Sequence, residues 1–255
     1  MSTFPGPRSS LAMLWAYVRD PLTCMVPLAE TWGDTFTIPG NPPIVLTGHP
    51  EGIRAIYTAR PESMTPAGTD LGVFIGDTSL ILVGGERHKR LRRLLMPPFH
   101  GARMRAYGDL VQALVREHTR DWTVGRTVSV HETAHRLSLA VILQAVFGVR
   151  DRARMDHLAG LLTDVVNGIT PAIAMFPSLR REFGGIGPFA TFRRRQTALH
   201  AALDALIAEA RGAPLGDDIL SLLVHAVVED GRPLTDEELR DQLLLLVVAG
   251  HETTA

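Results

Sequence analysis

The hydrophobic positions of this chain recur about every three to four residues over most of its length, the spacing of amphipathic helices. This pattern predicts helices over residues 86–96, 103–122, 131–147, 152–168, 189–210 and 217–228, and from 235 onward. Pro97, Gly125 and Gly148 stand where three of these segments stop, as helix-ending residues do. The last helix begins with a capping box, because Thr235 is followed three residues later by Glu238. The chain from residue 85 onward is therefore predicted to be an array of helices.

The first 60 residues follow a different pattern. Helical turns broken by Pro21 and Pro27 are expected first. Two short strand candidates, 34–38 and 43–46, flank a segment rich in Pro, Gly and Asn, which predicts a β-hairpin. A short helix over 50–57 follows, with a proline at its first position.

The stretch between residues 60 and 85 is rich in Gly, Pro, Ser and Thr and predicts a long loop with at most a short helix. A loop of this length inside a compact domain is usually functional. The fold class is therefore mainly α (α+β), a helical array with a small N-terminal β-sheet element. We expect one domain over 1–255, with an N-terminal part (1–60), a loop (61–84) and the helical array (85–255).

Composition narrows the function classes. The 255 residues are 45% hydrophobic and 21% charged, as in an ordinary soluble globular protein. The net charge of -1 gives no support to a nucleic acid or an anionic membrane as partner. The longest apolar run is far shorter than the about 20 residues that span a bilayer, so no membrane-spanning segment is expected. Cys24 is the only cysteine, which excludes an intramolecular disulfide and a cysteine-rich zinc site. A chain without disulfides is typical of a cytoplasmic protein, and that location is expected.

The predicted helix over 86–96 is strongly basic. His88 and Arg92 are four residues apart, so they share one face and offer an imidazole and a guanidinium to a single anionic ligand. A carboxylate suits the arginine fork. The other cations of the helix form either a solvated face or a docking patch: Arg87, Lys89, Arg90 and Arg93.

The last helix changes character at its end. Residues 249–254 read Ala-Gly-His-Glu-Thr-Thr after a run of leucines and valines. Small residues at Ala249 and Gly250 let another group approach the backbone, and an acid beside a hydroxyl suggests a proton relay. The alternative is that the helix simply becomes exposed at Gly250.

Together the two patterns resemble the N-terminal part of a cytochrome P450 of the soluble bacterial type. Residues 249–254 match every position of that family's central-helix motif, Ala/Gly-Gly-x-Asp/Glu-Thr-Thr. His88 and Arg92 match its basic helix, which carries a Trp or His four residues before an Arg. The order of elements agrees over roughly residues 21–255.

The resemblance implies a haem-dependent monooxygenase that inserts one oxygen atom of O2 into a small organic substrate, with haem b as its cofactor. It assigns residues in pairs: His88 and Arg92 to the haem propionates, Ala249 and Gly250 to the space for oxygen and substrate, and Glu252 and Thr253 to proton delivery. It also implies a substrate-lining loop over 64–83, a lid over 169–186, and a ferredoxin or reductase-type electron donor at the basic surface near Arg87, Lys89, Arg90 and Arg93.

One part of the family pattern is not found in these residues. The family's Glu-x-x-Arg helix and its haem-binding Cys loop follow the central helix, and Cys24 has none of the surrounding glycines of that loop. The resemblance therefore implies a fold truncated before the haem-thiolate loop, an axial Cys outside this chain, and an inactive fragment. We also expect an exposed apolar face on the last helix, formed by Leu243, Leu246, Val247 and Gly250.

Two other function classes stay open on sequence alone. His131-Glu132-x-x-His135 satisfies the His-Glu-x-x-His signature of zinc metallohydrolases, in which the two histidines share a helix face and the glutamate acts as base. No third ligand is evident nearby, so no metal ligands are assigned. The third class is a non-enzymatic helical binding module.

Overall fold

The computed structural model describes residues 4–7, 10–38, 43–60, 63–64, 71–170, 173–174, 177–227, 231–251 and 253. The chain forms two compact units, residues 1–64 and 65–255. The mainly α fold with one small antiparallel sheet is confirmed. That the two units belong to one domain remains a prediction.

The smaller unit carries the predicted hairpin. Strands β1 (Thr35–Ile38) and β2 (Ile44–Thr47) pair antiparallel, with Thr35 opposite Thr47 and Ile38 opposite Ile44. The Oγ1 atoms of Thr35 and Thr47 lie 2.8 Å apart and close the open end of the hairpin with a hydrogen bond. The helices of this unit are α1 (Ser10–Arg19), α2 (Pro21–Trp32) and α3 (Pro50–Thr58).

The predicted break at Pro27 is wrong, whereas the one at Pro21 is confirmed. Pro21 is the first residue of α2, where its missing N–H costs no hydrogen bond, and Asp20 caps the helix by accepting from Thr23 N at 3.2 Å. Pro27 lies inside α2, and the helix continues through it to Trp32. Packing of α2 against α1 offsets the hydrogen bond that the proline removes.

The larger unit contains the helical array. Its helices are α4 (Gly72–Ile75), α5 (Gly85–Leu95), α6 (Ala102–Thr119), α7 (Val130–Val141), α8 (Arg152–Gly168), α9 (Pro188–Gly212), α10 (Ile219–Val224) and α11 (Asp236–His251). A π-helical segment, Ile142–Val146, continues α7, and two 3-10 turns lie at Pro97–Phe99 and Pro177–Leu179. The predicted helix over 217–228 is shorter than expected, because Val227 leaves it to bridge Pro233.

Helix α11 lies at the centre of this unit. It packs against α4, α7, α9 and the π-helical segment. Its capping box is confirmed: Glu238 N donates to Thr235 Oγ1 at 3.1 Å, and Thr235 N donates to Glu238 Oε2 at 3.2 Å. The predicted exposed apolar face is wrong for Leu243 and Val247, which are buried in the core of the unit itself.

No helix in the described part of the chain is long and apolar enough to cross a membrane.

Candidate haem-side and oxygen-side residues

The basic helix α5 carries His88 and Arg92 beside its buried leucines. Leu91, Leu94 and Leu95 are buried in the core, while His88 is half-buried and Arg92 is exposed. Within the described ranges, neither the His88 nor the Arg92 side chain has a hydrogen-bond or ion-pair partner. An imidazole and a guanidinium one helical turn apart, both without an internal counter-charge, fit the carboxylates of a ligand.

The remaining cations of α5 are not equally available. Arg90 turns to the start of α11, where its Nη1 lies 3.2 Å from Glu238 Oε1 and its Nη2 donates to the carbonyl of Pro233 at 2.9 Å. Arg87 lies 3.7 Å from the same carboxylate, and Lys89 pairs with Glu86 at 2.9 Å. Arg90 therefore joins α5 to α11, and the predicted basic surface is smaller than its sequence suggested.

The end of α11 carries the small and hydroxyl residues of the motif. Ala249 is exposed, Gly250 is half-buried, and the exposed Thr253 donates its hydroxyl to the carbonyl of Ala249. A β-carbon at Gly250 would meet Ile142 Cδ1 at 3.5 Å, an ordinary contact, so packing among the described residues does not require glycine there. Glu252, the predicted acid, and Thr254 lie outside the described residues.

Two polar residues in α11 anchor the predicted substrate-lining loop. Gln242 donates from Nε2 to Thr78 O at 2.8 Å and accepts from Leu80 N at 2.9 Å. Asp241 accepts from the backbone N–H and the hydroxyl of Thr78 at 2.9 and 2.7 Å. Burial raises the pKa of the Asp241 carboxyl, although the bonds from Thr78 oppose the shift. The sequence reasoning missed this anchor, whose only signal was an adjacent acid and amide leading into an apolar helix.

The predicted lid touches the predicted lining loop. Arg180, in the 169–186 segment, donates to the carbonyls of Ile173 and Ala174 at 2.7 and 2.8 Å. Its guanidinium lies 5.3 Å from the ring centre of Phe74 in the lining loop, and Phe74 in turn packs edge-on against Phe192 of α9. These contacts bring the two predicted pocket segments together with α9.

The His-Glu-x-x-His motif lies in the first turns of α7. Ser129 caps the helix by accepting from Glu132 N at 3.3 Å. The rings of His131 and His135 meet edge-on with centroids 4.3 Å apart, and His135 Nδ1 turns towards His251 Nε2. No cluster of three or more His, Cys, Asp or Glu side chains able to hold a metal occurs in the part of the chain that the structure describes. The zinc interpretation is therefore not favoured.

Cys24 behaves as a structural residue. It is half-buried in α2 with a free thiol, and its Sγ lies 3.7 Å from the carbonyl oxygen of Met13 in α1. A thiol donating to a backbone carbonyl between two packed helices matches the role of a small apolar side chain.

Comparison with known proteins gives a consistent answer. A family model described as "Cytochrome P450" matches residues 5–255. A protein named putative cytochrome P450 135A1 from Mycobacterium tuberculosis is 34% identical to this chain, over 98% of the chain and 58% of the relative. Putative cytochrome P450 135B1 from the same organism is 31% identical, over 98% of the chain and 54% of the relative. The chain thus spans just over half the length of these curated relatives.

Solved structures show the same fold. The heme domain of a cytochrome P450DA mutant superposes with a TM-score of 0.75 at 23% identity, covering 99% of this chain and 58% of that one. A structure titled "Retinoic acid bound cyanobacterial CYP120A1" gives a TM-score of 0.72 at 22% identity, covering 88% of this chain and 51% of that one.

Proposed function

Because this chain belongs to the cytochrome P450 family, we propose that it supplies the propionate-binding and proton-delivery residues of a haem-dependent monooxygenase. The reaction inserts one oxygen atom of O2 into a small organic substrate. The observation that carries the proposal is the His88 and Arg92 pair on α5, which has no partner among the described residues, in a chain whose last described helix, α11, includes Ala249, Gly250 and His251 of the motif. Since the chain spans only part of its relatives, the activity of the whole protein belongs to the proposal.

The donor set of α5 fits haem b. Arg92 would hold one propionate with its planar fork, and His88 would donate a ring N–H to the same or the second propionate. When bound, the haem supplies the binding and reductive activation of O2, with reactivity set by its axial ligand. We expect that ligand to be a Cys thiolate from a segment outside these 255 residues, because Cys24 lies within α2 with its thiol on a backbone carbonyl of α1.

The end of α11 would deliver protons and would leave room for O2 and substrate. The Thr253 hydroxyl both donates and accepts hydrogen bonds, so it can hold a water molecule once it exchanges its bond to the Ala249 carbonyl for that water. Glu252 would pass protons inward from solvent. Ala249 and Gly250 would leave room for O2 and substrate beside the helix.

The remaining elements would hold the substrate and the electron donor. The lining loop and the lid meet at Phe74 and Arg180, an aromatic and partly apolar boundary suited to an organic molecule. A ferredoxin or reductase-type donor would dock at the cations of α5 that remain exposed, Arg87 and Arg93, with Lys89 beside them. We propose a cytoplasmic location for the protein.

Haem content of the full-length gene product tests the proposal. The purified protein should contain haem b and, when reduced under carbon monoxide, show the difference band that gives the family its name. Cys24→Ser is the matched control and should keep that band, because Cys24 is not the axial ligand. A full-length product that takes up no haem, or that holds zinc instead, contradicts the proposal.

A further inference from the structure

His251 occupies position x of the motif Ala/Gly-Gly-x-Asp/Glu-Thr-Thr, the one position at which the motif specifies no residue type. Its ring is buried in the larger unit, with 7% of the residue exposed, although it stands next to the half-buried Gly250 and the exposed Ala249. A buried imidazole costs free energy unless its nitrogens find partners. The partners of His251 therefore indicate what holds the last described turn of α11.

Both ring nitrogens of His251 face α7. Nδ1 lies 2.7 Å from Ser138 Oγ, and Nε2 lies 3.5 Å from His135 Nδ1, a long hydrogen bond. Ser138 and His135 are three residues apart and so lie on the same face of α7. A single side chain of α11 is thus held at two points by one neighbouring helix.

The hydrogen bonds run in one consistent direction. Ser138 Oγ lies 3.2 Å from the carbonyl oxygen of His135 and donates its only hydrogen there. Ser138 then accepts from His251 Nδ1–H, and His251 Nε2 accepts from His135 Nδ1–H. The tautomer with hydrogen on Nδ1 follows for His251, as an assignment from the network.

Ring packing fixes the outer partner. His135 meets His251 edge-on at 4.9 Å and meets His131 edge-on at 4.3 Å, with interplanar angles of 86° in both pairs. The His135 ring is therefore held between two imidazoles and presents its Nδ1 to His251. On the neighbouring position of α11, Gly250 faces Ile142, the first residue of the π-helical segment that continues α7.

We propose that His251 is a positioning residue, which fixes the turn bearing Gly250 and Thr253 through its two bonds to Ser138 and His135. The consequence for oxygen chemistry rests on the proposed function, because Thr253 acts there on protons and water. The anchoring itself is a property of this chain alone. If the anchor is lost, Thr253 is no longer held at one place, and reduced oxygen leaves more often as hydrogen peroxide.

Hydrogen exchange of the backbone amides of residues 249–253, in the haem-loaded full-length gene product, measures the anchoring directly. His251→Leu and Ser138→Ala should each speed exchange there by about tenfold, the effect of losing one or two side-chain hydrogen bonds. Amides of residues 239–244 should not change. His251→Asn keeps an N–H donor near the place of Nδ1 and should stay close to the wild type. His157→Leu, at an exposed position of α8, is the control for replacing a histidine.

The second measurement is the fraction of reducing equivalents recovered as hydrogen peroxide. It should rise in His251→Leu and Ser138→Ala but not in His251→Asn, while haem content stays constant. The double variant should not exceed His251→Leu, since the bond that Ser138→Ala removes is one of the two that His251→Leu already removes. If His251→Leu does not fold, Ser138→Ala, which deletes one oxygen atom, carries both measurements.

The outcomes separate the two proposals. Unchanged exchange at residues 249–253 in both variants overturns the anchoring role. Faster exchange with an unchanged peroxide fraction overturns the link between the anchor and oxygen chemistry. A gene product without haem overturns the proposed function, and exchange in that haem-free protein still decides whether His251 anchors α11.

Discussion

The α-carbon of Gly76 lies directly against the carboxylate of Asp241, 165 positions further along the chain. A β-carbon built at Gly76 would fall 1.9 Å from Asp241 Cγ and about as close to both carboxylate oxygens. The glycine also has a φ of +84°, in the region that side chains disfavour. The lining loop thus approaches α11 so closely at position 76 that only a glycine fits. The carboxylate it meets, that of Asp241, also accepts the hydrogen bonds of Thr78 in the same loop.

Gly76→Ala should therefore destabilise the protein by about 2–4 kcal/mol, because backbone strain adds to a contact with a buried, hydrogen-bonded group. Urea denaturation followed by circular dichroism measures the change. Gly160→Ala is the matched control, since Gly160 lies inside α8 with open space around it. The Gly160→Ala variant should be more stable than the wild type by about 0.5–1 kcal/mol, because alanine has the higher helix propensity. A Gly76→Ala protein as stable as its control would show that the loop does not need this contact.

Asp241→Asn and Asp241→Ala should differ in their free energy of unfolding, because one carboxylate oxygen of Asp241, Oδ2, accepts both bonds from Thr78. An asparagine oxygen can take both bonds, whereas alanine leaves a buried N–H and a hydroxyl without an acceptor. We expect Asp241→Ala to cost about 2–4 kcal/mol and Asp241→Asn less than about 1 kcal/mol. Equal losses in the two variants would mean that the charge, and not the hydrogen bonds, holds the loop.

The same pair of variants gives a pH test. Burial raises the pKa of Asp241 above its ordinary value of 3.8, so the folded protein binds this proton more tightly than the unfolded chain does. The stability contributed by Asp241 is therefore greatest in acid and declines as pH rises from 3.8 to the folded pKa. Relative to the wild type, Asp241→Asn should become more stable over that window. A difference between the two proteins that is independent of pH contradicts the raised pKa.

The local features of the fold were predictable from sequence. The capping box at Thr235 and Glu238 depends on residues three apart, and helices α5 and α8 begin and end within a residue or so of the predicted bounds. The hairpin was predictable too, because its strands and its turn are close together in the sequence. Each of these features depends only on residues that are near one another along the chain.

Contacts between distant segments were not predictable. The basic residues of α5 look alike in sequence, yet Arg90 binds Glu238, 148 positions away, while Arg92 has no partner in the described ranges. His251 gave no signal because the motif leaves its position open. Its partners, His135 and Ser138, are about 115 positions away, and in the sequence His135 belongs to the His-Glu-x-x-His motif, which indicates zinc instead. Pro27 shows the converse, in which packing between α1 and α2 overrides a local preference.

His200 of α9 should make stability fall in acid. Burial lowers its pKa from 6.5, and the nearby charge of Arg240 lowers it further, partly opposed by Asp204. The folded protein therefore resists protonation, so stability is complete above pH 6.5 and is lost as pH falls towards the folded pKa. Nε2 of this ring is buried without a hydrogen-bond partner in the described structure.

His200→Leu should consequently lose less stability than the wild type between pH 7 and pH 5. Thermal melting across that range measures the difference, with His157→Leu as the matched histidine replacement. If the melting temperature of His200→Leu falls with pH as steeply as that of the wild type, His200 does not titrate with a lowered pKa.

His88 and Arg92 should determine how tightly the full-length gene product retains haem. Removing a charge-assisted hydrogen bond costs about 1.5–3 kcal/mol, so the double alanine variant should lose haem at least about tenfold faster to a haem scavenger. Arg92→Lys keeps the positive charge but lacks the two parallel N–H donors of the guanidinium, so its rate of haem loss should lie between those of the wild type and the double alanine variant. Arg93→Ala removes an exposed charge of the same helix and should retain haem like the wild type. Full retention in the double variant removes both residues from the propionate site.

Thr253→Ala should separate oxygen chemistry from binding. The Thr253 side chain is exposed, and among the described residues its hydroxyl bonds to the Ala249 carbonyl alone, so its loss should change folding and haem content little. In the full-length gene product, O2 reduction needs protons delivered at one place, and a hydroxyl that accepts and donates at once can hold the water that supplies them. Without the hydroxyl, a larger share of the electrons consumed should form hydrogen peroxide instead of product. The measurement is product formed per reduced nicotinamide consumed, with peroxide titrated alongside. Thr253→Ser keeps the hydroxyl and should preserve the wild-type ratio. A Thr253→Ala protein with that same ratio would reduce this threonine to a helix-end residue, leaving proton delivery to other groups.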